Sequence, residues 1–332
     1  MKKFFPVSLL SAALLLLQGP FSAADAATTL RLAHTSAPNT AIYATYEVFK
    51  KSLEDISKGK VRVQIFPSGQ LGGDVPTAEA VLSGAIDICS TGTNNMAPFT
   101  ELFFWADMPF IFKNMDGVHQ VYSGEIGEEF KKRLEEETGF KLLFYANPGS
   151  FRNIMTTRKP IITPADLSGL KFRSAPSPVE MDIIRAIGAT PTPIAWPESF
   201  MALEQRVVDG AIQQYHWAVT ARWQEVTKFV TEVPLQHALH LALMSKTRFN
   251  SLPPDVQKAI LEASAAAQKF NFENTGKMND ELKKICVDAG VQIRVATPEE
   301  EAQWRKLAVT VWEKYADKVP QALIDRILAA QK

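Results

Sequence analysis

Thr29-Leu30-Arg31-Leu32-Ala33, Val61-Arg62-Val63-Gln64-Ile65-Phe66 and Ala85-Ile86-Asp87-Ile88-Cys89 are three short runs rich in aliphatic residues. The first two alternate polar with apolar, the period of a half-buried strand, and Pro67 ends the second. Between them, residues 40–57 carry Ile42, Tyr46, Phe49, Leu53 and Ile56 at helical spacing. Asp74 stands where it can cap a helix over 75–83, which Gly84 stops. Strand, helix, strand, helix, strand in so short a stretch predicts parallel pairing, because parallel neighbours need a crossover of the length of a helix. The fold class is therefore α/β.

The pattern recurs further along. Lys141–Tyr145, Arg152–Thr156, Leu170–Arg173 and Val207–Gln213 read as strands, with helices over Pro178–Ile187 and Glu198–Gln205. This second series forms its own α/β unit. Residues 255–288 then keep Val256, Ile260, Ala263, Ala267 and Phe270 on one face until Gly290. At 1.5 Å per residue that helix is roughly 50 Å long, more than one small domain spans, so it is expected to lie across two lobes. After a strand at Val291–Val295, Pro298 opens a helix presenting Trp304, Leu307, Val311 and Tyr315 on one face.

The first 26 residues read as a leader. Lys2 and Lys3 precede an apolar run from Phe4 to Leu17, and Ala24-Asp25-Ala26 fits a small-residue cleavage site. An apolar core of about 14 residues is shorter than the roughly 20 needed to span a bilayer. The mature chain is expected to be soluble, exported to the periplasm and cleaved near Ala26.

Composition removes several function classes. The 332 residues hold 36 basic and 36 acidic side chains, so no basic excess points to nucleic acid. The two cysteines, Cys89 and Cys286, are too few for a disulfide scaffold or a four-cysteine zinc site. In an oxidising compartment they could pair, although a free buried thiol is the ordinary reading of Cys89 in its apolar run. No glycine-rich phosphate loop, nucleophile elbow or HExxH helix is present. Of the five histidines only His237 and His240 are close, and in a strand over Leu235–Leu243 they would point to opposite faces. Glu135–Glu137 and Glu299–Glu301 read as solvated helix faces, and Asp209 has no visible nucleophile or acid partner. What remains is a pair of arginines at strand ends, Arg152 and Arg173. Ligands of open α/β sheets bind beyond the carboxyl ends of strands, and a guanidinium fork matches a carboxylate in a way lysine cannot.

At this point the sequence resembles a family, the solute-binding proteins of tripartite ATP-independent periplasmic (TRAP) transporters of the DctP type. The matching stretches include Pro67-Ser68-Gly69-Gln70-Leu71-Gly72-Gly73, Gly84-Ala85-Ile86-Asp87, Met108-Pro109-Phe110-Ile111-Phe112 and Phe151-Arg152-Asn153. The most specific runs from Asp166 to Arg173, continuing through Gly188–Pro193 and Ala202–Gln205 to Val207-Val208-Asp209-Gly210, and Leu252–Gln257 matches the opening of the family's long helix. The resemblance covers about residues 28–320.

It implies a two-lobed periplasmic-binding-protein-like fold with a ligand cleft between the lobes and the long helix spanning both. The lobes are expected over 27–149 with 239–278, and 150–238 with 279–332. It implies that Arg173 grips a substrate carboxylate, that Arg152 supports or contacts it, and that Trp196 is the aromatic wall. Where many members read Gln-Glu-Asn after the Asp-Gly pair, this chain has Ala211-Ile212-Gln213, so Gln213 stands at the ligand-reaching position, with Gln214 beside it and Trp217 adding aromatic bulk. His34 and Asn94 fall on strand-end loops that would face the cleft from the first lobe. The implied function is capture of a small organic acid and its delivery to TRAP permease subunits by a monomeric binding protein. No catalysis, metal or cofactor is implied. A binding protein serving a sensor or an ATP-driven importer, and an exported enzyme, are the alternatives.

Overall fold

The computed structural model describes residues 27–331; the leader reading falls on residues 1–26, which lie outside the described residues. Eleven strands appear among those described. They are β1 (Thr28–Ala33), β2 (Val61–Phe66), β3 (Ile88–Gly92), β4 (Phe140–Ala146), β5 (Arg152–Thr156), β6 (Lys171–Ser174), β7 (Thr190–Pro193), β8 (Gly210–Gln213), β9 (Phe229–Gln236), β10 (His240–Ser245) and β11 (Gln292–Val295). They form two sheets, of order β2-β1-β3-β10-β4 and β11-β9-β5-β8-β6-β7. The expected parallel pairing holds for β1 with β2 and with β3, while β10 runs antiparallel to both β3 and β4.

Some boundaries moved, each for a local reason. The strand expected over 85–89 starts only at Ile88, because Ile86 still bonds back to Ala80 O and the Asp87 carboxylate turns to accept the Arg31 amide at 2.8 Å. Gly73, not Asp74, caps the helix Asp74–Leu82, which frees the Asp74 side chain for other partners. Val207–Val208 lie outside β8, and β7 carries Pro191 and Pro193, tolerated because it is a sheet edge. The strand expected over Leu235–Leu243 is two strands in different sheets, broken at residues 237–239 where the chain crosses between them. The helix begun at Pro298 stops at Ala308, and Leu307 is exposed while Trp304, Val311 and Tyr315 are buried.

The helix Pro254–Asp288 joins the lobes as expected. Its Val256, Ile260, Ala263 and Ala267 pack in one core with Leu30, Ile42 and Phe49, whereas Leu282 and Cys286 pack in another with Met155, Val208 and Val230. Between those apolar halves it turns polar. Asn271 Oδ1 accepts the Asn147 amide at 2.7 Å, and Asn271 Nδ2 and the Thr275 hydroxyl both donate to Asn147 O. Asn147 is where the chain leaves β4 for the second sheet, so this clamp fixes one crossing to the helix. Gly149 follows with φ +105°, and a Cβ there would come within 2.8 Å of Thr275 O, so only glycine fits.

Cys89 and Cys286 are free, each buried in a different core, so the considered bridge is not formed. The final helix, Gln321–Ala329, is tied to the first part of the chain. Arg326 pairs with Glu129, and Gln331 holds Ile111 O and the Lys113 amide.

Candidate ligand-binding cleft

A narrow cavity of only about 30 Å³ lies between the lobes, far below the usual range for small-molecule sites. The second-lobe wall is Arg152, Arg173, Ala175, Trp196, Gln213 and Trp217, and the first-lobe wall is Thr35, Asp74, Asn94, Asn95 and His240. A wider surface groove beside the helix Glu125–Glu137 has its lysines already matched, Lys131 to Glu128 and Lys141 to Glu135.

The two arginines differ in what they already hold. Arg152 opens β5, and its guanidinium lies 2.8 Å from Glu180 Oε2. Glu180 comes from the helix Pro178–Ala186 and also accepts from the Ala175 amide and from Asn94 Nδ2 at 3.1 Å. Arg173, next to last in β6, donates Nε to Ile194 O at 3.0 Å and lies 5.6 Å from the centre of the Trp196 ring. Among the described residues no carboxylate comes within ion-pair distance of it. Burial pushes its pKa down to about 10, which leaves it charged at neutral pH. A buried cation without a carboxylate partner is costly unless an anion completes it.

The aromatic wall is continuous. Trp196, half-buried, meets Trp217 edge-on with centroids 5.5 Å apart, and Trp217 stacks on His240 at 4.5 Å. Gln213 ends β8, and its Oε1 is occupied by the Gln214 amide at 3.0 Å.

Of the eight residues singled out in the sequence, the cavity thus brings together Arg173, Arg152, Trp196, Gln213, Asn94 and Trp217. The other two stand elsewhere. His34 is buried in the first lobe, stacked on Tyr46 at 5.1 Å, with burial pushing its pKa down to about 3. Gln214 turns its Nε2 to Ser150 O at 2.7 Å and Ala238 O at 3.0 Å, so it ties together the two crossings between the sheets. Sequence reasoning missed Thr35, Asp74, Asn95 and His240. Asp74 was legible only as a helix cap, and His240 only as a strand residue; Asn95 adjoins the predicted Asn94.

Residues 32–318 match DctP, described as bacterial extracellular solute-binding protein, family 7. The chain belongs to the DctP family. A curated relative is the 2,3-diketo-L-gulonate-binding periplasmic protein YiaO of Escherichia coli, 28% identical over 298 residues and covering 89% of each chain. Among solved structures, a TRAP periplasmic solute-binding protein of Shewanella oneidensis with bound succinate superposes with a TM-score of 0.87 at 27% identity, covering 92% of this chain and 100% of that one. The sugar acid binding protein DctPAm of Advenella mimigardefordensis, in complex with galactonate, gives a TM-score of 0.87 at 25% identity over 92% of this chain and 98% of that one. The two sheets joined by one long helix are thus the two-lobed architecture of DctP-family proteins. No helix among the described residues is long and apolar enough to cross a membrane. Nor do the described residues hold a group of three metal-ligating side chains.

Proposed function

We propose that this DctP-family protein captures a small organic acid in the interlobe cleft, with Arg173 holding its carboxylate, and hands it to TRAP permease subunits. The observation that carries this reading is the buried Arg173 guanidinium, which faces the cavity without a carboxylate partner. The ligands named for relatives, succinate, galactonate and 2,3-diketo-L-gulonate, all carry carboxylates. Trp196 and Trp217 form the apolar wall, and Gln213 and Asn94 offer amides. Arg152, neutralised by Glu180, supports the site more than it binds, and His34 and Gln214 act on the scaffold. The chain works as a monomeric binding protein without catalysis, exported and cleaved near Ala26. Its lobes are 27–149 with 239–278 and 150–238 with 279 onward, except that the final helix is held by the first lobe. A thermal-shift screen of carboxylates, sulfonates and neutral sugars tests the proposal. Ligand at 100 times its Kd adds about 2.7 kcal/mol of stability. Stabilisation by neutral sugars alone would overturn it.

A further inference from the structure

Arg173 has an acidic counterpart on the opposite wall. Asp74 Oδ2 accepts from the Gly92 amide at 3.0 Å and from Asn95 Nδ2 at 2.8 Å, and Oδ1 accepts from the Thr35 hydroxyl at 3.1 Å. All three partners donate, so Asp74 offers the cavity acceptor capacity only. A carboxylate has about four acceptor sites, which leaves one on Oδ1. His240 Nε2 is 3.9 Å from Oδ2, and burial holds this imidazole's pKa to about 4, so it brings no cation at neutral pH.

Charge then selects among carboxylates. Among the described residues, the cations lining the cavity are Arg152, already paired with Glu180, and Arg173. Arg173 can take one carboxylate. A second one, reaching the first-lobe wall, would meet Asp74 with no free cation beside it, and like charges in a desolvated site repel strongly. A hydroxyl there can donate into the open Oδ1 position. An ammonium there could donate into it too and would match the Asp74 charge, so this wall takes a donor and rejects an anion.

We infer that the ligand is a monocarboxylate anchored at Arg173 that also donates a hydroxyl or ammonium hydrogen to Asp74, and that Asp74 excludes dicarboxylates. This rests on the organic-acid reading of the cleft. The test is calorimetry at pH 7.5 with a four-carbon series: 2,3,4-trihydroxybutanoate, succinate, 4-aminobutanoate and butanoate. The tighter of the trihydroxy acid and 4-aminobutanoate is expected to bind about 100-fold or more tightly than succinate, and more tightly than butanoate. In Asp74→Asn, checked to be folded by its thermal transition, its affinity is expected to fall roughly 10–100-fold. Should that variant not fold, the wild-type series decides alone. Succinate or butanoate binding as tightly as the better donor-bearing acid overturns the inference and leaves the organic-acid reading standing. If no carboxylate binds while neutral sugars do, both fail.

Discussion

The Arg152 guanidinium lies 2.8 Å from Oε2 of Glu180, and both side chains are almost entirely buried. The pair divides labour between the two arginines. One charge is matched inside the protein, and the other, on Arg173, has no carboxylate within ion-pair distance among the described residues. Glu180→Gln preserves volume but strands Arg152, so it is expected to destabilise the fold by about 3–5 kcal/mol. Urea titration measures this; a loss under 1 kcal/mol would mean the pair is not formed in solution.

Side-chain bonds tie the cleft shut across the lobes. Ser36 Oγ meets His216 Nε2 at 3.0 Å, and Asn94 Nδ2 donates to Glu180. A ligand that contacts both walls favours this closed arrangement, and only such differential affinity shifts the population. Ser36→Ala removes one tie and is expected to weaken binding by roughly 3–10-fold, the effect of one hydrogen bond. Small-angle scattering of a ligand-free sample should show a larger radius of gyration than the saturated protein, and identical curves would contradict closure.

Tryptophan fluorescence follows the same motion. Trp196 lies 5.5 Å from both Trp217 and Trp223, so its emission is not isolated. Trp217 also lines the cavity. Trp196→Phe is therefore expected to remove part of the ligand-induced change, and Trp196→Phe with Trp217→Phe most of it. A full change persisting in the double variant would place the reporting indole elsewhere.

Stability is expected to fall on mild acidification. Burial pushes the pKa of His34 and His237 down to about 3 and of His240 to about 4, and holds His216 well below the ordinary range. Unfolded histidine takes up its proton near pH 6.5, so the stability these neutral rings contribute is complete above about 6.5 and is lost as pH falls towards 4 and 3. Asp107 opposes them. Burial raises its pKa to about 7, so its contribution is complete at low pH and lost as pH rises through 7. Four groups outweigh one, and unfolding free energy should drop below pH 6.5 by about 1.4 kcal/mol per pH unit for each net proton. Equal stability at pH 7 and pH 5 by urea titration would contradict this.

Local periodicity made β1, β2 and the helix Pro254–Asp288 readable, because one half-buried face imprints a pattern on each. That Arg173 would line the cavity was readable because a strand's carboxyl end is where open α/β sheets place their crevice. The rest depends on contacts distant in sequence. Nothing near Arg152 announces Glu180, which arrives on a separate helix, and nothing near Asp74 announces that Gly73 would cap the helix and free the carboxylate. The crossing at residues 237–239 is hidden because both flanking segments are apolar strands. Gln214 sits next to a cavity residue in sequence yet points to the crossings, as adjacent residues leaving a strand diverge.

The central claim is that Arg173 anchors the ligand's carboxylate, and calorimetry on Arg173 variants tests it most directly. With the tightest carboxylate found by thermal shift, Arg173→Ala should lose about 3–5 kcal/mol of binding free energy, and Arg173→Lys should also bind poorly because the planar fork is gone. Near-normal affinity in a folded Arg173→Ala protein would contradict the claim.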